Sequence, residues 1–222
     1  MRVMNREFWL QRWAQGEIGF HQPEVNFYLQ RYWHVLGVPA GASVLVTLCG
    51  KSRDMMWLRA QGHPVFGIEI SRYAAEQFFE ENALQAHCEH RPPFLHYSAA
   101  GVSLLVGDIF DLQPSAIGVV DAVYDRASLV ALPPAMRLCY AERLTALLRP
   151  GGSMLLITFE YDQQQMPGPP FAVPESEVNA LYRGAFQLEI LCTADVLTLY
   201  PCLHARGLTG LQERVYRLVR RG

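Results

Sequence analysis

Five short apolar runs set the limits on what this chain can become: SVLVTL (43–48), HPVFGIEI (63–70), VSLLVGD (102–108), VDAVYD (120–125) and SMLLITF (153–159). Each is rich in aliphatic and β-branched residues with little polar alternation, the pattern of a strand covered on both faces. Helical segments fall among them. SRDMMWLRAQG stops at Gly62, and SRYAAEQFFEENALQ starts on Ser71, a residue suited to an N-cap. PPAMRLCYAERLTALLRPGG has proline near its start and Gly151 and Gly152 after its end, and PESEVNALYRGA follows from 174. Strands alternating with helices of this length predict an α/β fold, a doubly wound and mostly parallel sheet. FQLEILCTAD (186–195) and LQERVYRLV (211–219) read as two more strands with no helical run between them. The expected sheet is therefore seven-stranded, with an antiparallel last strand.

The first forty residues have another character. Trp9, Trp13, Phe20, Phe27, Tyr28, Tyr32 and Trp33 crowd there, broken by Gly16, Gly19 and Pro23. Two short helices are expected, roughly 5–14 and 24–35, forming a lid or extension (1–40) on a core of 41–222 within a single domain. Gly16 and Gly19 would serve as its hinges. The net charge of −2 argues against a nucleic-acid partner, whose binding face is usually basic. No apolar run approaches the ~18 residues of a membrane span, and the charged, aromatic start does not read as a secretory signal. Cys49, Cys88, Cys139, Cys192 and Cys202 are odd in number and widely spaced, which favours free thiols and a cytoplasmic protein. The cluster His87, Cys88, His90, with His96 beyond, fits no standard zinc spacing, and on a helix its members point apart; no metal is expected.

Ligands of open α/β sheets bind beyond the carboxyl ends of the strands, near the point where strand order reverses. After the first strand, Leu48-Cys49-Gly50-Lys51 carries one glycine rather than GxGxxG, which suits an adenosine ligand without a pyrophosphate. Glu69 ends the second strand nineteen residues beyond Gly50, where an acid accepts hydrogen bonds from ribose hydroxyls; its alternative is an acid at a helix start. After the third strand, Gly107 leaves room for a ligand, Asp108 can accept from an adenine amino group and Ile109 can cover the ring, unless this is a plain Asp turn. Asp125 and Arg126 end the fourth strand, where a carboxylate can face a cation and a guanidinium an anion or a ring; the alternative is a salt bridge of little value. Met166 to Phe171 is a stiff, proline-rich loop able to wall a flat aromatic substrate.

Several motifs together resemble the thiopurine S-methyltransferase family in its bacterial form. They are FW..RW.....GFHQ at 8–22, LCGKS.DM.WL..QGH.V.G.EIS at 48–71, SLLVGDIFDL at 103–112, D.VYDRASLVAL at 121–132, CYAERL at 139–144 and YD....PGPPF.VP at 161–174. The resemblance implies a class I methyltransferase sheet and S-adenosylmethionine as methyl donor, leaving S-adenosylhomocysteine. The acceptor is the sulfur of an aromatic or heterocyclic thiol such as a thiopurine. It implies cofactor contacts at Trp13, Leu48, Glu69 and Arg126 and at Asp108-Ile109, with Phe20 facing both cofactor and substrate. Arg126 would orient the substrate and stabilise its anionic form, and Asp125 would orient Arg126 or the methionine amino group. The second substrate arginine of animal members aligns near Cys202, with Arg206 close by. Methylation of selenium or tellurium compounds is an alternative bacterial role. A nicotinamide-dependent reductase and a non-catalytic adenosine-binding domain are the rivals on the same sheet. The expected partner is a small thiol, with no nucleic acid and no membrane, and the expected state is a monomer.

Overall fold

The computed structural model describes residues 6–222, so the start of the first helix, expected at residue 5, lies outside the described residues. In chain order the elements are α1 (Arg6–Gln15), α2 (Phe27–Tyr32) followed by a 3₁₀ turn, β1 (Val44–Val46), α3 (Asp54–Ala60), β2 (Val65–Glu69), α4 (Arg72–Glu81), β3 (His87–Arg91), β4 (Phe94–Ala99), β5 (Val102–Val106), a single turn α5 (Pro114–Ile117), β6 (Val120–Arg126), α6 (Pro134–Leu147), β7 (Leu148–Glu160), α7 (Glu175–Tyr182), β8 (Phe186–Asp195), α8 (Pro201–Ala205) and β9 (Gln212–Arg220).

The strands form one nine-stranded sheet in the order β3-β4-β5-β2-β1-β6-β7-β9-β8. β5, β2, β1, β6 and β7 run parallel, and β9 enters antiparallel between β7 and β8, giving the expected reversed last strand. Seven strands is corrected to nine. The additions are the hairpin β3–β4, which pairs antiparallel with β5. β3 is HCEHR, an edge strand with mostly exposed side chains, so it never shows the apolar signature of a core strand. Its residues therefore alternate across a strand rather than spread around a helix. Among the described residues no group of three or more His, Cys, Asp or Glu could hold a metal ion.

Two apolar layers sandwich the sheet. α6 and α7 bring Tyr140, Ala141, Leu144, Val178 and Tyr182 onto Val123, Met154 and Leu156. The other layer joins Leu29, Trp33 and Leu36 to Met55, Leu58, Phe78, Tyr124 and Leu155. Asn26 caps α2 through its side-chain oxygen, which accepts from Tyr28 N and Leu29 N, and Ser71 caps α4 as expected. The segment 27–36 thus belongs to the body of the domain, and only α1 and the turn behind it are placed as a cover. No described helix is long and apolar enough to cross a membrane.

Candidate active site

β2 and β6 flank β1 on opposite sides, so strand order reverses at β1 and a crevice opens beyond its carboxyl end. Both turns that leave this crevice are strained. Leu48, just past β1, has φ of 40°, and Ala127, just past β6, has φ of 60°, although neither is glycine. The turns are tied together in the interior: Ser128 Oγ donates to Thr47 O at 2.7 Å, and Thr47 Oγ1 donates to Ser128 Oγ at 2.9 Å. Left-handed backbone at two neighbouring strand ends is held by buried bonds and opens on a cavity of about 590 Å³.

The side of this cavity at β1 and β2 is built from backbone and one carboxylate. Glu69, at the end of β2, accepts from Gly50 N at 2.9 Å through Oε2 and from Ser71 N at 2.8 Å through Oε1. Burial pushes its carboxyl up to about 7, against the pull of those donors. Each oxygen holds one backbone N–H and keeps further lone-pair capacity for hydroxyl donors. Gly50 has φ of 52°, and a Cβ there would sit 2.9 Å from the Trp13 indole, so the indole packs directly on the turn. Trp13 is only 3% exposed and Phe20 meets it edge-to-face at 5.5 Å, which places α1 and its following turn over the cavity. Asp108 and Ile109 line it from the end of β5, with Asp108 Oδ1 accepting from Phe110 N at 3.0 Å. Gly107 has a different use from the one expected: the Phe94 ring of β4 occupies the space a Cβ would need.

Arg126 ends β6 inside the cavity, and its Nη1 donates to Phe20 O at 2.9 Å, fastening the cover to the sheet. Asp125, its expected partner, is not brought there. Successive residues on a strand point to opposite faces, and Asp125 faces α6, where Oδ2 accepts from Tyr140 Oη at 2.8 Å and Oδ1 from Leu129 N at 3.2 Å. The side chain is wholly buried, and desolvation pushes its carboxyl up to about 6. Expected roles beside Arg126 or a methionine amino group are therefore corrected: Asp125 braces the 126–129 turn from behind.

The opposite wall is made of side chains and loops. Pro169 and Pro170 line it, as the stiff loop suggested, and Arg206 donates to Pro169 O at 2.9 Å. Arg137, fully buried on α6, donates to Leu132 O and Ala172 O and pairs with Glu177 at 2.6 Å, anchoring the same loop. Four residues that sequence reading passed over also line the cavity: Asp54, Tyr124, Tyr200 and Glu213. Asp54 accepts from Tyr124 Oη at 2.9 Å and from Asn26 N at 2.8 Å. Glu213 accepts from Tyr200 Oη at 2.7 Å. Its sequence signal is parity with the buried Val215 on β9, which turns both inward.

The chain is similar to known proteins. A family model for thiopurine S-methyltransferase matches residues 4–221. A thiopurine S-methyltransferase of Nitrosospira multiformis is 50% identical over 98% of this chain and 99% of its own. One of Bordetella petrii is 48% identical over 99% and 100% respectively. Among solved structures, 1,6-didemethyltoxoflavin-N1-methyltransferase of Burkholderia thailandensis, with S-adenosylhomocysteine and its substrate bound, superposes with a TM-score of 0.64. It is 19% identical and covers 98% of this chain and 87% of that one, a likeness of fold. With the family come its reaction, methyl transfer to sulfur, and its methyl donor, S-adenosylmethionine. This chain belongs to the thiopurine S-methyltransferase family.

Proposed function

We propose that this protein methylates the sulfur of aromatic or heterocyclic thiols, with Glu69 and the Leu48–Gly50 turn holding the donor and Arg126 and Phe20 facing the acceptor. The observation that carries the reading is Glu69. Its buried carboxylate is braced by two backbone N–H groups at the end of the second parallel strand and lines the cavity beside a strained turn. That acceptor fits the hydroxyls of a ribose, and the single-glycine turn offers no cradle for a pyrophosphate. Asp108 and Ile109 line the same cavity, and we assign them to the adenine and Trp13 to the cover.

When bound, the donor supplies an electrophilic methyl on a sulfonium, so the protein's own task is mostly arrangement. Trp13 and Phe20 exclude water from above and present aromatic faces suited to a cation. Arg126 supplies a planar guanidinium for an anionic sulfur or a ring. The proline loop at 169–170 walls a flat substrate. A small thiol as partner, a monomeric state and a cytoplasmic location complete the reading; the free thiols of the described residues suit a reducing compartment. Incubation with methyl-labelled S-adenosylmethionine and an aryl thiol tests it: labelled thioether and S-adenosylhomocysteine are expected, and cofactor binding without turnover would reduce the chain to a non-catalytic binding domain.

A further inference from the structure

One titratable cluster of the cavity lies apart from the Glu69 turn, on the far side of β1 in the sheet. Glu213 sits on β9, opposite Phe159 of β7 and Ala194 of β8, and is 4% exposed. It lines the cavity together with Arg126 of β6 and Tyr200 from the 3₁₀ turn before α8. The groups that face it are few. Tyr200 donates to Oε1 at 2.7 Å, the Tyr28 hydroxyl of α2 approaches it, and Arg126 acts on it through space. Tyr124 of β6 feels its charge while bonded to Asp54 of α3, and Cys192 of β8 lies toward Tyr28. Its neighbour Arg214 points to the other side, to Glu160 and Glu175. Burial raises the Glu213 carboxyl, while the hydroxyl donors and Arg126 restrain it. Taking a carboxylate out of water costs free energy that hydrogen bonds or a counter-charge must offset, and such groups cluster at functional sites. Two hydroxyl donors and a guanidinium nearby orient its carboxyl without pairing it directly to a cation.

We propose that Glu213 takes the proton of the incoming thiol. The inference rests on the methyl-transfer reading above. The thiol S–H proton passes to a Glu213 oxygen, and the freed sulfur pair forms a bond to the methyl carbon. The sulfonium C–S bond breaks with its electron pair remaining on the donor's sulfur, and the proton leaves Glu213 for water after product release. Arg126 stabilises the sulfur while it is anionic, between loss of its proton and formation of its bond to the methyl carbon. This division of labour extends the usable substrates to thiols that are not ionised in solution.

The test compares wild type, Glu213→Gln and Tyr200→Phe on aryl thiols of graded acidity. For a thiol already ionised at the assay pH, Glu213→Gln is expected to change kcat/KM less than about threefold. For a weakly acidic thiol the loss should reach about 100-fold, the usual scale of general base catalysis. The rate should then rise with pH along the thiol's own ionisation. Tyr200→Phe removes a donor from the carboxylate and should move the acid limb of the wild-type profile to higher pH. A readout independent of turnover is the absorbance of a chromophoric aryl thiol bound with S-adenosylhomocysteine: the thiolate fraction should fall in Glu213→Gln. Equal loss across the thiol series, or none, overturns the proposal. If Glu213→Gln fails to fold, an unmoved acid limb in Tyr200→Phe overturns it instead. A wild type inert toward every thiol would sink the methyl-transfer reading itself, a distinguishable outcome.

Discussion

The two walls of the cavity are made by different means. The wall at β1 and β2 is backbone: strained Leu48, Gly50 with φ of 52°, and N–H groups aimed at one carboxylate. The wall at β7, β9 and the loops is held by side chains reaching across elements: Tyr200 to the Glu213 carboxylate, Arg206 to a proline carbonyl, Arg137 to the Ala172 carbonyl under the loop. Parallel strands end together at a switch point, so their turns make a fixed surface whatever the side chains are. An antiparallel insertion with long connections offers no such frame, and each contact must be specified separately. The first kind suits a donor that never changes, the second an acceptor that does.

The sharpest way to break this contrast is Glu69→Ala. Its loss removes the acceptor proposed for the ribose hydroxyls and orphans Gly50 N and Ser71 N. S-adenosylhomocysteine binding should weaken by about 1–3 kcal/mol in calorimetry, with the affinity for a thiol little altered. Unchanged affinity takes Glu69 out of the site. The sign of its pH dependence follows from a carboxyl raised to about 7. If only the ionised form accepts from the ribose, affinity is full above that value and weakens below it, approaching about tenfold per pH unit.

Arg126→Lys probes the opposite wall at the seam between the two. Lysine keeps the charge but loses the planar fork and the bond to Phe20 O. kcat/KM for an aryl thiol should fall tenfold or more, about 1.4 kcal/mol, with a smaller change in cofactor Kd. Equal loss in both would make Arg126 a cofactor residue alone, erasing the contrast at that point.

Tyr140→Phe separates the cavity from the frame behind it. It removes a buried hydrogen bond to Asp125 and should cost about 1–3 kcal/mol of stability in denaturant titration, with kcat/KM for folded protein close to wild type. Burial raises the Asp125 carboxyl from its ordinary 3.8 to about 6 in the folded protein. The stability it contributes is therefore fully present below the lower of these values and is lost as pH rises through the higher. A large loss of activity at unchanged stability would return Asp125 to the site.

The smallest effect expected is in the cover. Gly16 and Gly19 have open space around them, while Trp13 is packed on Gly50. Cleavage near residues 14–22 by a protease should slow severalfold when S-adenosylhomocysteine is added. Equal rates with and without ligand would show a rigid arm.

Much of the frame was legible because its signals are local. Apolar runs marked all five parallel strands, Ser71 announced its helix, and Glu69 stood at the right distance from Gly50. β3 was invisible because an edge strand needs no apolar side chains. Asp125 and Arg126 were adjacent letters of equal promise, and strand alternation alone required that they part. Both faces of β6 are covered, so no periodicity told which face was the cavity.

By itself the sequence determined the doubly wound order of elements, the strand ends on which the cavity opens, the turn without a pyrophosphate cradle and the family motifs. These depend on hydrogen-bonding habit and burial over a few neighbouring residues. Only tertiary structure decided that Trp13 closes on Gly50, that Arg126 reaches Phe20 O 106 positions away in the chain, and that Tyr200 and Glu213 meet in the cavity. Such contacts depend on how separate elements pack across the sheet, and no local pattern encodes which buried polar groups that packing will bring within hydrogen-bonding distance.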